Sequence, residues 1–96
     1  MRDISPFNIT QHEIIGLDVL IKKSADPTLR NLKGRVVDET KNMLIIRLVD
    51  GRKVKVNKKI CVFRFKLPDG TLVEVDGVKI IGRPEDRIKK FIKRKW

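Results

Sequence analysis

The 96-residue chain has few of the residues that build catalytic, metal-binding or disulfide-stabilised sites. Cys61 is its only cysteine, so neither an intrachain disulfide nor a cysteine-based zinc site can form from this chain alone. Tyrosine is absent and aromatic residues make up 5% of the chain, which leaves few side chains to stack on nucleic-acid bases. No apolar run approaches the length of a membrane span, and the N-terminus carries no hydrophobic signal region. We therefore expect a cytoplasmic protein that does not associate with membranes.

The residues that could carry chemistry stand apart from one another. His12 is the only histidine and has no cysteine or second histidine at ligand spacing. Cys61 alternates with phenylalanines, a pattern that predicts a buried and unreactive thiol. Asp38 and Glu39 are adjacent, and neighbours in a strand point to opposite faces, so they cannot easily share a metal or a proton. We expect no catalytic residue, no metal site and no cofactor in this chain.

Positive charge, by contrast, is in excess. The chain has 23 Lys and Arg against 12 Asp and Glu, and its net charge is +11. Twelve of the basic residues lie in two short stretches, residues 52–59 and 83–96. Charge of one sign fixed on folded elements produces a persistent field, and its commonest target is a phosphate backbone. The alternatives are a solvated surface, the Lys-rich composition of a heat-adapted protein, or lysines that keep an edge strand from pairing.

The middle of the chain alternates between apolar and polar residues, with turn signals between the runs. Asp50-Gly51, Asp69-Gly70 and Asp76-Gly77 suit hairpin turns, because glycine accepts a positive φ. This pattern predicts six or seven short strands in an antiparallel sheet that closes into a small barrel. A sharp bend or bulge at Gly34 would help the closure. The predicted core residues are Leu44, Ile46, Val54, Val56, Phe63 and Phe65.

Both ends of the chain have helical patterns. Thr10 to Glu13 fits a capping box and Gly16 a helix stop, which predicts a helical N-terminal extension over residues 1–16. Pro84 suits a first helical position, and basic residues in the last turn complement the helix dipole. We therefore predict one domain, with a barrel over residues 17–82 and a basic C-terminal helix over residues 83–96.

A capped N-terminal helix and five segments together resemble a known family. The segments are Gly16-Leu17-Asp18-Val19, residues 24–29, residues 34–44, Phe63-Arg64-Phe65 and residues 82–87. In this order they resemble the archaeal ribonuclease P protein component 1 family, the counterpart of a protein subunit of eukaryotic ribonuclease P and MRP. The resemblance covers nearly the whole chain and implies an Sm-like antiparallel barrel with helical ends.

The resemblance also implies a function and partners. It implies an RNA-binding subunit of the ribonucleoprotein that removes the 5′ leader from precursor tRNA, where the RNA and its bound Mg²⁺ carry out the hydrolysis. The implied partners are the specificity domain of the ribonuclease P RNA and the zinc-ribbon protein component 4, with precursor tRNA engaged only indirectly. Two other interpretations stay open: a basic barrel of another ribonucleoprotein, such as a ribosomal protein, and a barrel that binds an acidic protein.

Two sets of site residues follow. Lysine offers a point charge rather than base-specific pairing, so we expect mostly contacts to the RNA backbone. The predicted RNA-binding residues are Lys53, Lys55, Lys58, Lys59, Arg83, Arg87, Lys90 and Arg94. The residues predicted to face the protein partner are Ile14, Ile15, Leu17, Leu20, Arg35 and Val37.

Overall fold

The structure is a computed structural model that describes residues 14–83. This part of the chain is mainly β, with six strands and three short 3₁₀ helices. The strands are β1 (Asp18–Ser24), β2 (Lys33–Glu39), β3 (Met43–Leu48), β4 (Lys53–Asn57), β5 (Cys61–Lys66) and β6 (Leu72–Asp76). The 3₁₀ helices are Pro27–Leu29, Lys58–Ile60 and Gly77–Ile80.

All six strands belong to one antiparallel sheet with the order β4-β3-β2-β1-β5-β6. Three strands separate β4 from β5, yet only the 3₁₀ helix Lys58–Ile60 connects them along the chain. Four inter-strand spacings would cover about 19 Å in a flat sheet. The connection reaches at most about 14 Å even when fully extended. The sheet must therefore curl until β4 and β5 approach each other, which gives the barrel-like shape that the sequence predicted.

Two register shifts contribute to the curl. One lies in β1 between Ile21 and Lys23, and the other lies in β2 between Val36 and Asp38. Such bulges bend the strand and increase its twist. At Gly34, where the sequence predicted a bend or bulge, the register is regular. A Cβ at this position would overlap the backbone carbonyl of Arg47, so Gly34 allows β2 and β3 to approach closely.

The concave side of the sheet encloses one hydrophobic core. Five of the six predicted core residues are buried, and Val54 is partly buried and packs against them. The rings of Phe63 and Phe65 lie 5.8 Å apart, within the range of a favourable aromatic pair. The alternation in β3, β4 and β5 therefore predicted the inward face correctly.

The hairpin turn predicted at Asp76-Gly77 is wrong. Residues 77–80 form a 3₁₀ helix, and the Asp76 carboxylate caps it by accepting a hydrogen bond from the Val78 N–H at 3.3 Å. Gly77 is required there because a Cβ would overlap the carbonyl of Lys58. The other two Asp-Gly pairs do form hairpin turns, with φ of +92° at Gly51 and +90° at Gly70.

The two predicted terminal helices lie outside the described residues, except at their inner ends. Residues 14–17 form a turn, in which the Leu17 N–H donates to the Ile14 carbonyl at 3.2 Å. Arg83 is the last residue described, and it is exposed.

Candidate nucleic-acid interface

Three cations on adjacent strands face one another on the outer side of the sheet. Arg35 of β2 is the register partner of Arg47 in β3, and Arg47 is the partner of Lys53 in β4. All three are exposed. Side chains directly opposite each other in an antiparallel pair project from the same face, and like charges there are destabilising. We call Arg35, Arg47 and Lys53 the cation row.

Little acidic charge compensates the cation row. The Asp18 carboxylate lies 3.3 Å from Arg35 Nε, but the two side chains are 55% and 64% exposed, so solvent screens the pair. Arg47 and Lys53 form no salt bridge with any residue in the 14–83 range. The three cations therefore repel one another in the folded chain, and a bound anion would reduce this repulsion.

The lysines of β4 extend this basic surface. Lys53 and Lys55 are both exposed and lie two residues apart, so they share a face of the strand. Their spacing is about 6–7 Å, close to that of successive phosphates. Because β4 is an edge of the sheet, these lysines also discourage pairing with another chain. Lys59, in the following 3₁₀ helix, is exposed as well.

The remaining predicted RNA-binding residues divide into two groups. Arg83 is exposed at the end of the described chain. Arg87, Lys90 and Arg94 lie outside the described residues. Arg47 belongs with these cations in space but was missed from the sequence. It stands alone among apolar residues of β3, and only the strand register brings it next to Lys53.

Lys58 must be removed from the predicted RNA-binding set, because its side chain is completely buried. Its Nζ lies 2.7 Å from Glu39 Oε2 and donates to the carbonyls of Thr40, Lys41 and Gly82. The prediction treated residues 52–59 as one exposed basic stretch. Strand β4 ends at Asn57, however, and the 3₁₀ helix that follows turns Lys58 inward. No local sequence signal marks this role, because the acceptors lie 17 to 24 residues away along the chain.

An open groove on the outer side of the sheet includes Arg35 and Arg47 of the cation row and is lined by residues of β1, β2, β3, β5 and β6. Its volume is about 630 Å³. Its apolar lining includes Leu20, Val37, Val49 and Leu72. Val49 is 93% exposed and Leu72 60%, unusual values for large apolar side chains. Its charged lining consists of one carboxylate, Asp18, and five cations: Lys33, Arg35, Arg47, Arg64 and Lys66.

This groove brings together three of the residues predicted to face a protein partner: Leu20, Arg35 and Val37. Two others were assigned wrongly, because Ile14 and Leu17 are buried in the barrel core. Ile15 is 37% exposed and does not line the groove. Strand alternation separated Leu20 from the core correctly, but it could not show which outward residues share a groove.

Cys61 is buried, as its alternation with phenylalanines predicted. Burial raises the pKa of its thiol, and its sulfur lies 3.4 Å from the Ser24 hydroxyl oxygen. A buried thiol with a raised pKa is a poor nucleophile. Within residues 14–83, no group of three His, Cys, Asp or Glu residues is arranged to hold a metal ion. No helix in the same range is long and apolar enough to cross a membrane.

Comparison with known proteins identifies the family of this barrel. A family model for the ribonuclease P/MRP subunit p29 matches residues 7–90. Ribonuclease P protein component 1 of Methanothermobacter thermautotrophicus is 50% identical over 91 residues, covering 95% of this chain and 98% of that protein. The protein of the same name from Methanocaldococcus jannaschii is 51% identical over 90 residues, covering 94% of each. The solved structure of Mth11, a homologue of the human RNase P protein Rpp29, has a TM-score of 0.59 and 51% identity, covering 80% of this chain and 99% of its own. The chain therefore belongs to the family of the ribonuclease P/MRP subunit p29.

Proposed function

We propose that the chain acts in ribonuclease P as a non-catalytic subunit that binds the RNA through the outer face of its sheet. The cation row is the observation that carries this proposal. Three like charges in direct cross-strand register cost stability unless an anion covers them. In the resulting assembly the RNA and its bound Mg²⁺ carry out the hydrolysis, and the chain itself holds no cofactor. Its place is the cytoplasm.

The proposed RNA surface consists of the cation row together with Lys55, Lys59 and Arg83. Neighbouring strands lie about 4.8 Å apart, so the residues of the cation row can contact phosphates across the strands. Lys53 and Lys55 can contact phosphates along the direction of β4. Because its cations are spaced in two directions, this surface is suited to recognise the backbone shape of a folded RNA and not a particular base sequence. The specificity domain of the ribonuclease P RNA is the proposed target.

The dependence of RNA affinity on salt tests this surface. Changing both Arg47 and Lys53 to Ala should lower the salt slope of log K by about 0.7–0.9 for each phosphate that is no longer neutralised. The control changes Lys22 and Lys23 to Ala, which removes the same charge from exposed positions of β1 outside the cation row. An equal decrease of slope in both variants would mean that net charge alone drives binding. A parental slope in the Arg47/Lys53 variant would remove the row from the RNA site.

We further propose that the groove receives the zinc-ribbon protein component 4. A concave surface lined by apolar side chains and bordered by five cations fits an amphipathic segment that carries acidic residues. Exposed Val49 and Leu72 supply apolar area that a partner would cover. Arg35 and Arg47 belong to the cation row and also line this groove, so RNA and protein would meet at these two residues.

Titration calorimetry with component 4 tests the groove. Leu20→Ser should weaken the heterodimer by at least tenfold, because it replaces a half-buried apolar side chain of the groove by a small polar one. Val78→Ser is the matched control, since Val78 is 52% exposed but lies in the 3₁₀ helix Gly77–Ile80 and does not line the groove. Equal affinities for the parental chain and the Leu20 variant would place the partner on another surface.

The absence of catalysis by the chain itself is tested separately. The purified protein should not cleave precursor tRNA with any divalent metal, whereas ribonuclease P reconstituted with the RNA should do so. Cleavage by the protein alone that a single carboxylate substitution abolished would contradict the non-catalytic role.

A further inference from the structure

One end of the barrel is built from three segments that are distant in sequence and joined through their backbones. They are residues 40–42, 57–60 and 77–82. The Lys58 N–H donates to the Asn42 carbonyl at 2.9 Å, and the Gly82 N–H donates to the Lys41 carbonyl at 2.7 Å. A Cβ on Gly77 would overlap the Lys58 carbonyl, so the two 3₁₀ helices at this end pack with their backbones in contact. These contacts fix the positions of the three segments relative to one another.

Each of these segments carries one exposed lysine. They are Lys41, Lys59 and Lys79, which we call the end lysines. The three segments contain no Asp or Glu. The nearest exposed acids in sequence, Asp38 and Asp76, each accept a backbone hydrogen bond. None of the end lysines forms a salt bridge with a residue in the range 14–83. Three positive charges on a fixed backbone are therefore left uncompensated by the described part of the chain.

The end lysines lie apart from the cation row. Lys53 of the row begins β4 and Asn57 ends it, a separation of about 13 Å along the strand. Lys59 follows two residues beyond Asn57. Charges at this separation are largely screened from each other, because the Debye length at physiological salt is about 8 Å. Lys55 lies between them on the same face of β4, so an RNA backbone that passes along this edge of the sheet reaches both surfaces.

The composition of this end favours RNA over a protein as its ligand. None of the end lysines lines the apolar groove. Lysine is depleted in the cores of protein–protein interfaces, whereas its point charge suits a phosphate backbone.

We infer that Lys41, Lys59 and Lys79 form a second phosphate-binding surface for the same RNA, separate from the cation row. This inference rests on the proposed RNA-binding function and adds Lys41 and Lys79 to the residues that contact the RNA. If these lysines were only solvated charges, they would raise affinity through the net charge of the chain, as any other exposed lysine does.

The salt dependence of binding to the specificity domain separates the two roles. The test variant is Lys41→Ala/Lys79→Ala. The matched control is Lys22→Ala/Lys23→Ala, which removes the same charge from exposed positions whose lysines attract the Glu74 carboxylate. All substituted side chains are exposed, so circular dichroism and urea unfolding should show parental folding for both variants.

We expect the test variant to lower the salt slope of log K by about 1.4–1.8, which corresponds to two phosphates that are no longer neutralised. Its loss of affinity should then be about tenfold larger at about 50 mM salt than at about 200 mM. The control should change the slope by less than half as much. Lys41→Arg/Lys79→Arg keeps both charges and should retain the parental slope. Combination with Arg47→Ala/Lys53→Ala should be additive, because the two surfaces are far apart.

The outcomes distinguish the inference from the proposed function. If Lys41→Ala/Lys79→Ala keeps the parental slope while Arg47→Ala/Lys53→Ala lowers it, only the inference fails. If both variants keep the parental slope, the proposed RNA surface fails and the inference fails with it. An equal decrease in the Lys22/Lys23 control would mean that net charge alone is responsible, and this would overturn the inference.

Hydroxyl-radical protection of the bound RNA shows whether the second surface is separate. Loss of the end lysines should expose a part of the RNA backbone that Arg47→Ala/Lys53→Ala leaves protected. Exposure of the same nucleotides by both variants would reduce the two surfaces to one and contradict the inference. Weaker binding of component 4 by Lys41→Ala/Lys79→Ala, with RNA affinity unchanged, would assign this end of the barrel to a protein instead.

Discussion

Replacing Lys58 by Met should lower the free energy of unfolding by about 3–5 kcal/mol, because it breaks a buried ion pair by removing one of its partners. Both partners are completely buried, and the Glu39 carboxylate would no longer have the ammonium that lies 2.7 Å away. A small domain has a total stability of about 5–15 kcal/mol, so the decrease would be a large fraction of the whole. Glu39→Gln should be destabilising in the same range, since it removes the carboxylate that pairs with the Lys58 ammonium.

The double variant Lys58→Met/Glu39→Gln decides whether charge is the cause. Removing both charges should cost clearly less than the sum of the two single variants, with a difference of about 0.5–3 kcal/mol. It should not restore full stability, because the Thr40 carbonyl no longer accepts the ammonium hydrogen bond. Urea unfolding provides the measurement, with the m-value checked for constancy across the variants.

The exposed pair of Arg64 and Glu74 provides the control. Its side chains are 30% and 51% exposed at a distance of 3.0 Å, so Arg64→Met should cost no more than about 1 kcal/mol. The reasoning is refuted if Lys58→Met costs as little as Arg64→Met. It is also refuted if the two single variants at the buried pair add to the double variant within about 0.5 kcal/mol.

Three further outcomes can be checked on the purified chain. Phe63→Ala should cost about 3–5 kcal/mol in urea unfolding, because a fully buried ring is removed; a cost below about 1 kcal/mol would show that the strand register is wrong. Cys61 should react with iodoacetamide only as fast as the protein opens, since burial raises the pKa of its thiol; rapid labelling of the native protein would contradict its burial. Hydrogen bonds lower the pKa of four surface carboxylates, of which Asp26 is partly buried, below the ordinary values of 3.8 for Asp and 4.5 for Glu. They are Asp26, Asp50, Asp69 and Glu74. Because their folded-state pKa values are depressed, the stability they contribute is present above the ordinary values and is lost as the pH falls through the folded ones; stability that rises on acidification below about pH 4 would contradict this.

Family membership decides between the interpretations that the charge pattern alone left open. An excess of 23 basic over 12 acidic residues fits a ribosomal protein or a binder of acidic proteins as well as a ribonuclease P subunit. The sequence segments 34–44 and 82–87 were the most specific parts of the resemblance to one family. The family model, which matches residues 7–90, confirms that family. The composition indicated an anionic partner. The order of the motifs indicated that the ribonucleoprotein is ribonuclease P.

Local pattern predicted the strands and failed where backbone conformation changed. Alternation has a period of two, and it identified the inward residues of β5 correctly through Phe63 and Phe65. It could not foresee that the chain after Asn57 would turn into a 3₁₀ helix and carry Lys58 inward. The same limit produced the wrong hairpin prediction at Asp76-Gly77, where Gly77 allows a close backbone approach.

The order of residues along the chain is enough to establish the antiparallel β architecture, most of the core, the excess of positive charge and the family. These properties depend on the alternation of neighbouring residues, on the counts of charged residues or on the order of motifs, and all three are visible in the sequence. The folded structure was needed to show that Arg35, Arg47 and Lys53 form one row, that Leu20 and Val37 share a groove, and that Lys58 is buried against Glu39. Each of these depends on strand register and on the curl of the sheet. Both are set by packing between segments that are far apart in the chain, so no local pattern contains them.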